Sequence, residues 1–309
     1  MTRRMLEPLT TQLPAAIAAE LIAVIVTVTE GDPRVLTIEG GTALPSGPFE
    51  ASHRSLQSGL RSWVEQQTHH PLGHVEQLYT FADRDRTSEA GQRVVSISYL
   101  GLTRETAGAS ASGVGWQGWY RYFPWEDRRE PDDALVQGLL TPLHAWADEA
   151  PDAMLRWERR QRIAINFGLA PHVWNEELVL HRYETLWEAR LVGEAGGTPP
   201  LGQTMMHDHR RILATGIARL RSKIKYRPVV FELMPPAFTL GQLQRAVEAL
   251  AGRRLHKQNF RRLVEQQELV EETGRMATET GGRPAKLFRF RRDVLAERAV
   301  AGSKLPLAR

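Results

Sequence analysis

The chain has 309 residues, a length at which two domains are usual, and its lack of cysteine excludes disulfides, thiolate metal sites and thiol nucleophiles and fits a reducing cytoplasm. Its longest apolar stretch, residues 21–28, is far shorter than the roughly 20 residues of a membrane helix, so we expect no membrane partner. The net charge of +4 hides 22 basic and 10 acidic residues from Met205 onward, against 18 basic and 26 acidic before it, which predicts a polyanionic partner for the C-terminal part.

The first part of the chain predicts a mixed sheet. Apolar and β-branched residues over 20–41 indicate a hairpin with Gly31-Asp32-Pro33 as its turn. Residues 52–73 follow with helical spacing of their apolar side chains and with Ser52 as the expected N-cap. Three further strands are predicted in "EQLYTF", "RVVSISYLGL" and "WQGWYRYFPW".

A helical extension is predicted after the sheet. The segments near residues 132–147, 152–167 and 175–194 have helical spacing, and "GGTPP" then marks the clearest break in the chain. We therefore expect an N-terminal domain over residues 1–200, with its helical extension over about 131–195, and a second domain over 201–309.

The second domain predicts a helix-turn-helix followed by a wing. A helix over Met205 to Tyr226 links the domains, and "PVVFEL" is a short predicted strand. Thr239 caps a helix that Gly252 closes, and a second helix from His256 to Gln267 follows within a few residues. "LVEET" and "AKLFRF" then form the expected hairpin around the tip "GRMATETGGRP".

The second of these helices is predicted to expose amide and guanidinium groups. Phe260, Leu263, Val264 and Gln267 fall on one arc, which leaves the polar side chains on the other. Such groups match the edges of guanine and adenine and also serve phosphates. The predicted DNA-binding residues on the helix and near the wing tip are Lys257, Gln258, Asn259, Arg261, Arg262, Arg275, Arg283 and Lys286. The alternative is a solvated basic helix with a hairpin attached.

The segments "FTLGQLQ", "NFRR" and "GRPAKLFRF" carry a resemblance to a known family. Over residues 205 to 292 the chain resembles the C-terminal winged helix of the Nudix-related transcriptional regulators of NAD metabolism, the NrtR and NadQ type. The resemblance implies an α+β fold, with a Nudix-like domain of mixed sheet and helices joined to a winged helix-turn-helix. It also implies repression of NAD biosynthesis or salvage genes by a dimer.

The front half keeps only part of a Nudix box, the motif whose glutamates bind divalent metal and activate water. Gly47, Arg61, Trp63 and Glu65 fit the motif when Gly47 is taken as its first glycine. The positions of the other carboxylates and of the final glycine hold His53, Ser62, Gln66 and Thr68. One carboxylate holds Mg²⁺ poorly, so we expect no efficient hydrolysis and no required cofactor. The alternative is an amphipathic helix unrelated to Nudix proteins.

A Nudix-like cleft without catalysis could still bind a nucleotide. The expected effector-binding residues are Arg54, Arg61 and Glu65 on the helix and Tyr120, Tyr122 and Trp125 after it, with packing in the core as the alternative for each aromatic ring. The resemblance implies that the effector is ADP-ribose, ATP or an NAD-pathway intermediate. His207 and His209 are two residues apart on a predicted helix and face different ways, so no metal site is expected.

The leading hypothesis is a cytoplasmic homodimer that binds a palindromic operator in double-stranded DNA and changes its affinity when a metabolite binds. The helix from Met205 to Tyr226 is the expected lever between the domains. One alternative is a Nudix-type nucleoside-diphosphate hydrolase with an accessory nucleic-acid-binding domain. The other is a module that binds nucleic acid or a protein partner without sequence preference.

Overall fold

A computed structural model describes residues 17–83, 86–87, 91–105, 112–130, 133–199, 201–277 and 284–291. Arg283 of the predicted wing tip lies outside these residues. Within the described ranges, no helix combines the length and the apolarity that crossing a bilayer requires.

A six-stranded mixed sheet forms the first layer of the fold. Its strand order is β4-β5-β1-β2-β6, and β3 pairs with β1. The central pair β1 and β5 is parallel, and the other neighbours are antiparallel. The strands are β1 (Ala18–Thr29), β2 (Asp32–Thr37), β3 (Ser46–Pro48), β4 (Val75–Phe81), β5 (Val94–Leu102) and β6 (Gly115–Gly118).

Both faces of the sheet are covered, because β1 is apolar on both sides. Leu21, Ala23 and Ile25 pack under α1 (Leu56–Thr68), whose Leu60 and Val64 are fully buried. Ile22, Val24 and Val26 belong to the core on the opposite face, which α5 (His209–Lys223) covers. Because successive side chains of a strand point to opposite faces of the sheet, neighbouring residues of β1 pack against different helices.

The helical extension predicted over 131–195 contains three helices, α2 (Asp133–Asp148), α3 (Ala153–Phe167) and α4 (Val179–Glu188). Asp152 caps α3 by accepting a hydrogen bond of 2.8 Å from the Leu155 amide, and Gly168 ends it at φ 65°. Only α4 is clearly shorter than predicted.

The C-terminal part contains α6 (Leu240–Ala251), α7 (Lys257–Gln266) and a hairpin of β7 (Val270–Ala277) and β8 (Ala285–Phe290). Thr239 forms a capping box with Gln242, and Gly252 closes α6 at φ 70°. The predicted helix-turn-helix and wing are therefore confirmed as structural elements.

One predicted strand is only partly right, and another is wrong. β6 ends at Gly118, and residues 119–121 and 124–126 form 3-10 turns instead of a continued strand. Trp119, Tyr122, Phe123 and Trp125 are all buried, which a strand with one exposed face would not allow. Val229–Leu233 is likewise a 3-10 helix, between Pro228 and the Pro235–Pro236 pair. In addition, α1 takes its cap from Ser55 rather than from Ser52.

One hydrophobic core runs from the sheet into α6 and α7. It joins Ile22 and Val24 to Ile217, Leu250 and Val264. The helix α5 therefore lies in the core layer of the sheet, where Ile212, Leu213 and Ile217 are fully buried. Its expected role as a lever between the domains stays a prediction. The domain boundary near residue 200 stays a prediction.

His209 fixes the start of α5 to the sheet domain. Its Nδ1 accepts a hydrogen bond of 2.9 Å from the Leu44 amide, and its ring is 4% exposed. Burial lowers the pKa of His209 to about 4, so the imidazole stays neutral at physiological pH.

Gly252 is required where α6 meets the body of the protein. It has φ 70°, and a Cβ there would lie 2.4 Å from the Glu126 carbonyl oxygen. We expect Gly252→Ala to destabilise the fold by about 1 to 3 kcal/mol, measured by urea denaturation. The matched control is Gly241→Ala at the start of the same helix, where a Cβ would meet its nearest atom at 3.7 Å, and it should not lower the urea midpoint. Equal midpoints for the two variants would contradict this contact.

Candidate nucleic-acid interface and sensing face

The turn between α6 and α7 is held by a buried carboxylate. Glu248 is 5% exposed, and its Oε1 accepts hydrogen bonds of 2.9 Å from the Leu255 amide and from the Gln244 side chain. Gly252 gives the chain the left-handed conformation that ends α6. These contacts fix the angle at which α7 leaves the body.

The predicted polar face of α7 is exposed. Val264 is the one buried residue of this helix, at 6%. Within the described chain, His256 makes no side-chain cap at the start of α7, which leaves the first amide groups available to an anion. The exposed side chains on the helix are Lys257, Gln258, Asn259, Arg261 and Arg262. The arrangement has the amide, guanidinium and ammonium groups that read base edges and phosphates.

The buried arc of α7 is narrower than predicted. Leu263 is 47% exposed and Gln267 is exposed, because among the described residues the α7 members of the hydrophobic core are Val264 and the half-buried Phe260. Leu263 therefore follows Arg262 on the open side of the helix. An apolar side chain in that place is suited to contact with a thymine methyl group.

The wing is anchored to the segment before α6. Phe238 and Phe288 exchange backbone hydrogen bonds of 2.9 and 2.8 Å. Arg275 is exposed near the tip, whereas Lys286 is paired with Glu272 at 2.7 Å across the hairpin. The positive charge of Lys286 is thus partly neutralised, and Arg275 is the more available of these two predicted contacts.

The frame of the degenerate Nudix box is kept by packing. A Cβ on Gly47 would lie 2.3 Å from the Trp63 ring, and the Trp63 Nε1 donates a hydrogen bond of 2.8 Å to the Pro48 carbonyl. Arg61 donates to the Leu72 carbonyl and so holds the loop after α1. These contacts are consistent with the predicted register of the motif.

The carboxylates that would bind metal do not gather here. Glu65 is exposed on α1, and Arg54 is exposed just before it. Across the described parts of the chain, no three His, Asp or Glu residues lie in an arrangement suited to a metal ion. The donor set around α1 does not fit Mg²⁺, which prefers several oxygen ligands.

The three predicted aromatic effector residues do not join Arg54, Arg61 and Glu65. Tyr122 and Trp125 are 0% and 1% exposed and lie in the core on the opposite face of the sheet from α1, so the expectation that they stack on a nucleotide is wrong. Tyr120 packs against the same core, and its hydroxyl donates to the Ala249 carbonyl at 2.6 Å.

The α1 side has other aromatic rings that the sequence reading missed. Phe49 is 37% exposed and stacks on His53 with 5.9 Å between ring centroids, and Trp63 meets His53 edge-on. His70, which follows α1 in the chain, packs edge-on against Trp116 of β6 with 5.7 Å between ring centroids. The sequence signal for these rings was His53, which stands at the position of the first glutamate of the Nudix motif. It puts a ring where the motif has a carboxylate.

A buried ion cluster lies between the sheet, the helical extension and α5. Glu126 is 1% exposed and accepts hydrogen bonds of 2.6 and 2.8 Å from Arg182 of α4 and of 2.6 Å from Arg221 of α5. Both arginines are 0% exposed. Burial alone would raise the pKa of Glu126, but the two guanidinium groups outweigh it and hold that pKa below its usual value.

The same cluster reaches the end of α6. Arg221 donates from Nε to the Leu250 carbonyl at 2.9 Å, and the Arg128 amide donates to the Gly252 carbonyl at 2.7 Å. Together with the Tyr120 bond to Ala249, these contacts give hydrogen-bond donors to three carbonyl groups at the C-terminal end of α6. The first helix of the helix-turn-helix is therefore fixed to the body.

Comparison with known proteins agrees with the C-terminal assignment. Residues 230–290 match the model of the NrtR DNA-binding winged helix domain. A curated relative from Acinetobacter baylyi, the ADPR responsive transcriptional repressor NtrR, is 42% identical over 83 residues. That match covers 27% of this chain and 33% of the relative, so the chain spans only about a third of it.

Solved structures show the same fold over most of the chain. NrtR of Shewanella oneidensis in complex with a 27mer DNA aligns with a TM-score of 0.55 at 21% identity, covering 90% of this chain and 95% of that one. A MutT/nudix family protein from Enterococcus faecalis aligns with a TM-score of 0.53 at 17% identity, covering 91% and 90%. The predicted α+β fold, a Nudix-like domain with a winged helix, is confirmed.

Removal of the central carboxylate should be severe. Glu126→Ala leaves two guanidinium groups buried without their counter-charge, and we expect a loss of about 3 to 5 kcal/mol in the free energy of unfolding. Urea denaturation at neutral pH measures this loss. The control is Asp148→Ala, which breaks an exposed pair with Arg160 and should leave the midpoint unchanged. The role of the cluster would be contradicted if the two variants unfolded alike.

Proposed function

We propose that this chain, whose residues 230–290 match the NrtR DNA-binding winged helix domain, is a sequence-specific DNA-binding transcriptional repressor of NAD biosynthesis or salvage genes. A nucleotide bound to its Nudix-like domain controls its affinity for DNA. The observation that carries the proposal is the exposed face of α7, with Gln258, Asn259, Arg261 and Arg262 on a helix fixed to the body by α6.

The protein acts as a homodimer on a palindromic operator. A single winged helix contacts too little DNA for high specificity, and two-fold symmetry places two copies of α7 on successive half-sites. The contacts divide by chemistry, since Lys257 and the first amide groups of α7 hold phosphates while Arg262 and Asn259 read base edges.

ADP-ribose is the effector that the comparisons favour, because the curated relative is described as ADPR responsive. On this chain the ligand binds on the α1 side of the sheet. Phe49 and His53 offer ring faces there, and Arg54 and Arg61 offer positive charge for the diphosphate. Glu65 alone does not hold Mg²⁺, so the ligand is sensed and not hydrolysed.

The signal from the ligand reaches DNA by a change in how the two copies of the body are arranged. Since Arg221, Arg128 and Tyr120 fix α6 to the body, each winged helix moves with its own body. A ligand that favours one arrangement of the dimer therefore changes the spacing of the two α7 helices.

Arg262→Ala separates specific from general DNA binding. Loss of a base contact should weaken binding to the preferred site by about 1 to 3 kcal/mol, roughly 5- to 150-fold, and relax preference at one position of each half-site. Fluorescence anisotropy on DNA from the protein's own upstream region and from NAD-gene promoters, at fixed salt, measures both effects. Lys257→Ala should instead weaken all sequences alike, and Arg156→Ala on the distant α3 should change nothing. If Arg262→Ala left affinity and preference intact, α7 would not be the reading helix.

The purified protein should not hydrolyse ADP-ribose. With Mg²⁺ present we expect product release no faster than from Glu65→Gln, which removes the last carboxylate of the degenerate motif. Chromatography of the nucleotide over several hours gives the rate. A substantial Mg²⁺-dependent rate that Glu65→Gln abolishes would instead support the nucleoside-diphosphate hydrolase with an accessory DNA-binding domain.

A further inference from the structure

A second concave site lies in the helical extension, on elements that carry no part of the α1 face. It is a cavity of about 440 Å³ where the end of α2, the middle of α3 and the end of α4 meet. Its walls are Trp146, Arg159, Trp187, Glu188, Arg190 and Ala195. The volume falls in the range of small-molecule sites.

Two indole rings line this cavity. Trp187 is 49% exposed, although a ring of its size is usually covered in a folded protein. Trp146 is half-buried, with the Arg159 guanidinium 4.2 Å and the Arg162 guanidinium 5.2 Å from its ring centroid. Trp187 thus offers an open ring for stacking, whereas the Trp146 ring is already in contact with two guanidinium groups.

The charge of the cavity is positive. Glu188 is the only carboxylate that lines the cavity among the described residues. Its two oxygens accept hydrogen bonds of 2.9 and 2.5 Å from the two terminal nitrogens of Arg162. Arg159 donates to the Trp146 carbonyl at 2.7 Å, which holds its guanidinium at the wall. Arg190 is exposed, and across the described chain no acceptor for its side chain is present.

Arg190 is also held in an unusual backbone conformation. Its φ is 56°, in the left-handed region that non-glycine residues rarely adopt. Its amide donates to the Trp187 carbonyl at 2.9 Å, and the Leu191 amide donates to the Leu186 carbonyl at 2.9 Å, a common way for a helix to end. This end of α4 puts Arg190 in the lining of the same cavity as Trp187.

We propose that this cavity binds a nucleoside monophosphate, with the base against Trp187 and the phosphate on Arg190 and Arg159. Stacking on indole accepts any base, and guanidinium groups bind phosphate with two hydrogen bonds. The site is separate from the ADP-ribose site on α1 and gives the helical extension a ligand of its own. Its occupancy is independent of whether α7 binds DNA.

The location of the bound nucleotide is tested by photolabelling the full chain with 8-azidoadenosine monophosphate and mapping the labelled peptides. We expect label between Trp146 and Ala195, reduced by excess AMP and only weakly by adenosine or inorganic phosphate. Label confined to the segment around Phe49, with none in the extension, would overturn the proposal. Absence of any label that AMP protects would overturn it as well.

Affinity is tested by calorimetry with AMP on matched variants. Trp187→Ala and Arg190→Ala should each weaken binding at least 10-fold, roughly the value of one stacking or phosphate contact. Trp157→Ala and Arg156→Ala, an exposed tryptophan and an exposed arginine of α3 outside the cavity, should bind AMP as the wild type does. Equal weakening by both sets would contradict the site.

Two readouts distinguish failure of this site from failure of the proposed function. DNA affinity of Trp187→Ala and Arg190→Ala without nucleotide should equal that of the wild type, whatever the AMP result. Sedimentation velocity should show the same assembly state for these variants. If Trp187→Ala changed assembly and left AMP binding intact, the cavity would hold a second copy of the chain, and the proposal would be wrong.

Discussion

Glu126 between Arg182 and Arg221 is the interaction on which the arrangement of the molecule depends. One carboxylate, fully removed from water, joins the segment after β6, the helix α4 and the helix α5. A buried ion pair adds little net stability compared with apolar residues of the same volume, but leaving one partner alone is costly. The cluster therefore specifies a geometry, since all three elements must meet at this point for the charges to be satisfied. Trp174, 3.9 Å from the Arg182 guanidinium, covers one side of it.

The geometry matters for function because Arg221 also holds the end of α6. The helix-turn-helix is thereby joined to the Nudix-like body by hydrogen bonds as well as by a continuous core. A flexible linker between sensor and reader would let each move alone. Here the winged helix is joined firmly to the body, which is why the proposed control of DNA affinity works through the relative position of two whole subunits. The aromatic segment after β6 is part of this joint, and its rings are buried for that reason.

The sequence predicted most of the elements but only part of the sites. Caps and spacing are local, so Thr239, Gly252 and the face of α7 with Arg262 could be read directly. Burial by a distant layer is not local. Tyr122 and Trp125 were predicted to bind the effector because the sequence around them does not show that α4 and α5 cover them. Leu263 was predicted to be buried because helical spacing does not show how small the packed face of α7 is. The pairing of Glu126 with Arg182 and Arg221, 56 and 95 residues away, had no sequence signal.

The central claim is that the α7 face reads DNA under the control of a nucleotide that the body binds without consuming. Titration of ADP-ribose into a complex of the protein with its preferred operator, followed by anisotropy at fixed salt, tests it most directly. The account predicts a saturable change in operator affinity, with the nucleotide recovered intact at the end. Unchanged affinity at saturating ADP-ribose, or a change that disappears as the nucleotide is broken down, would contradict it.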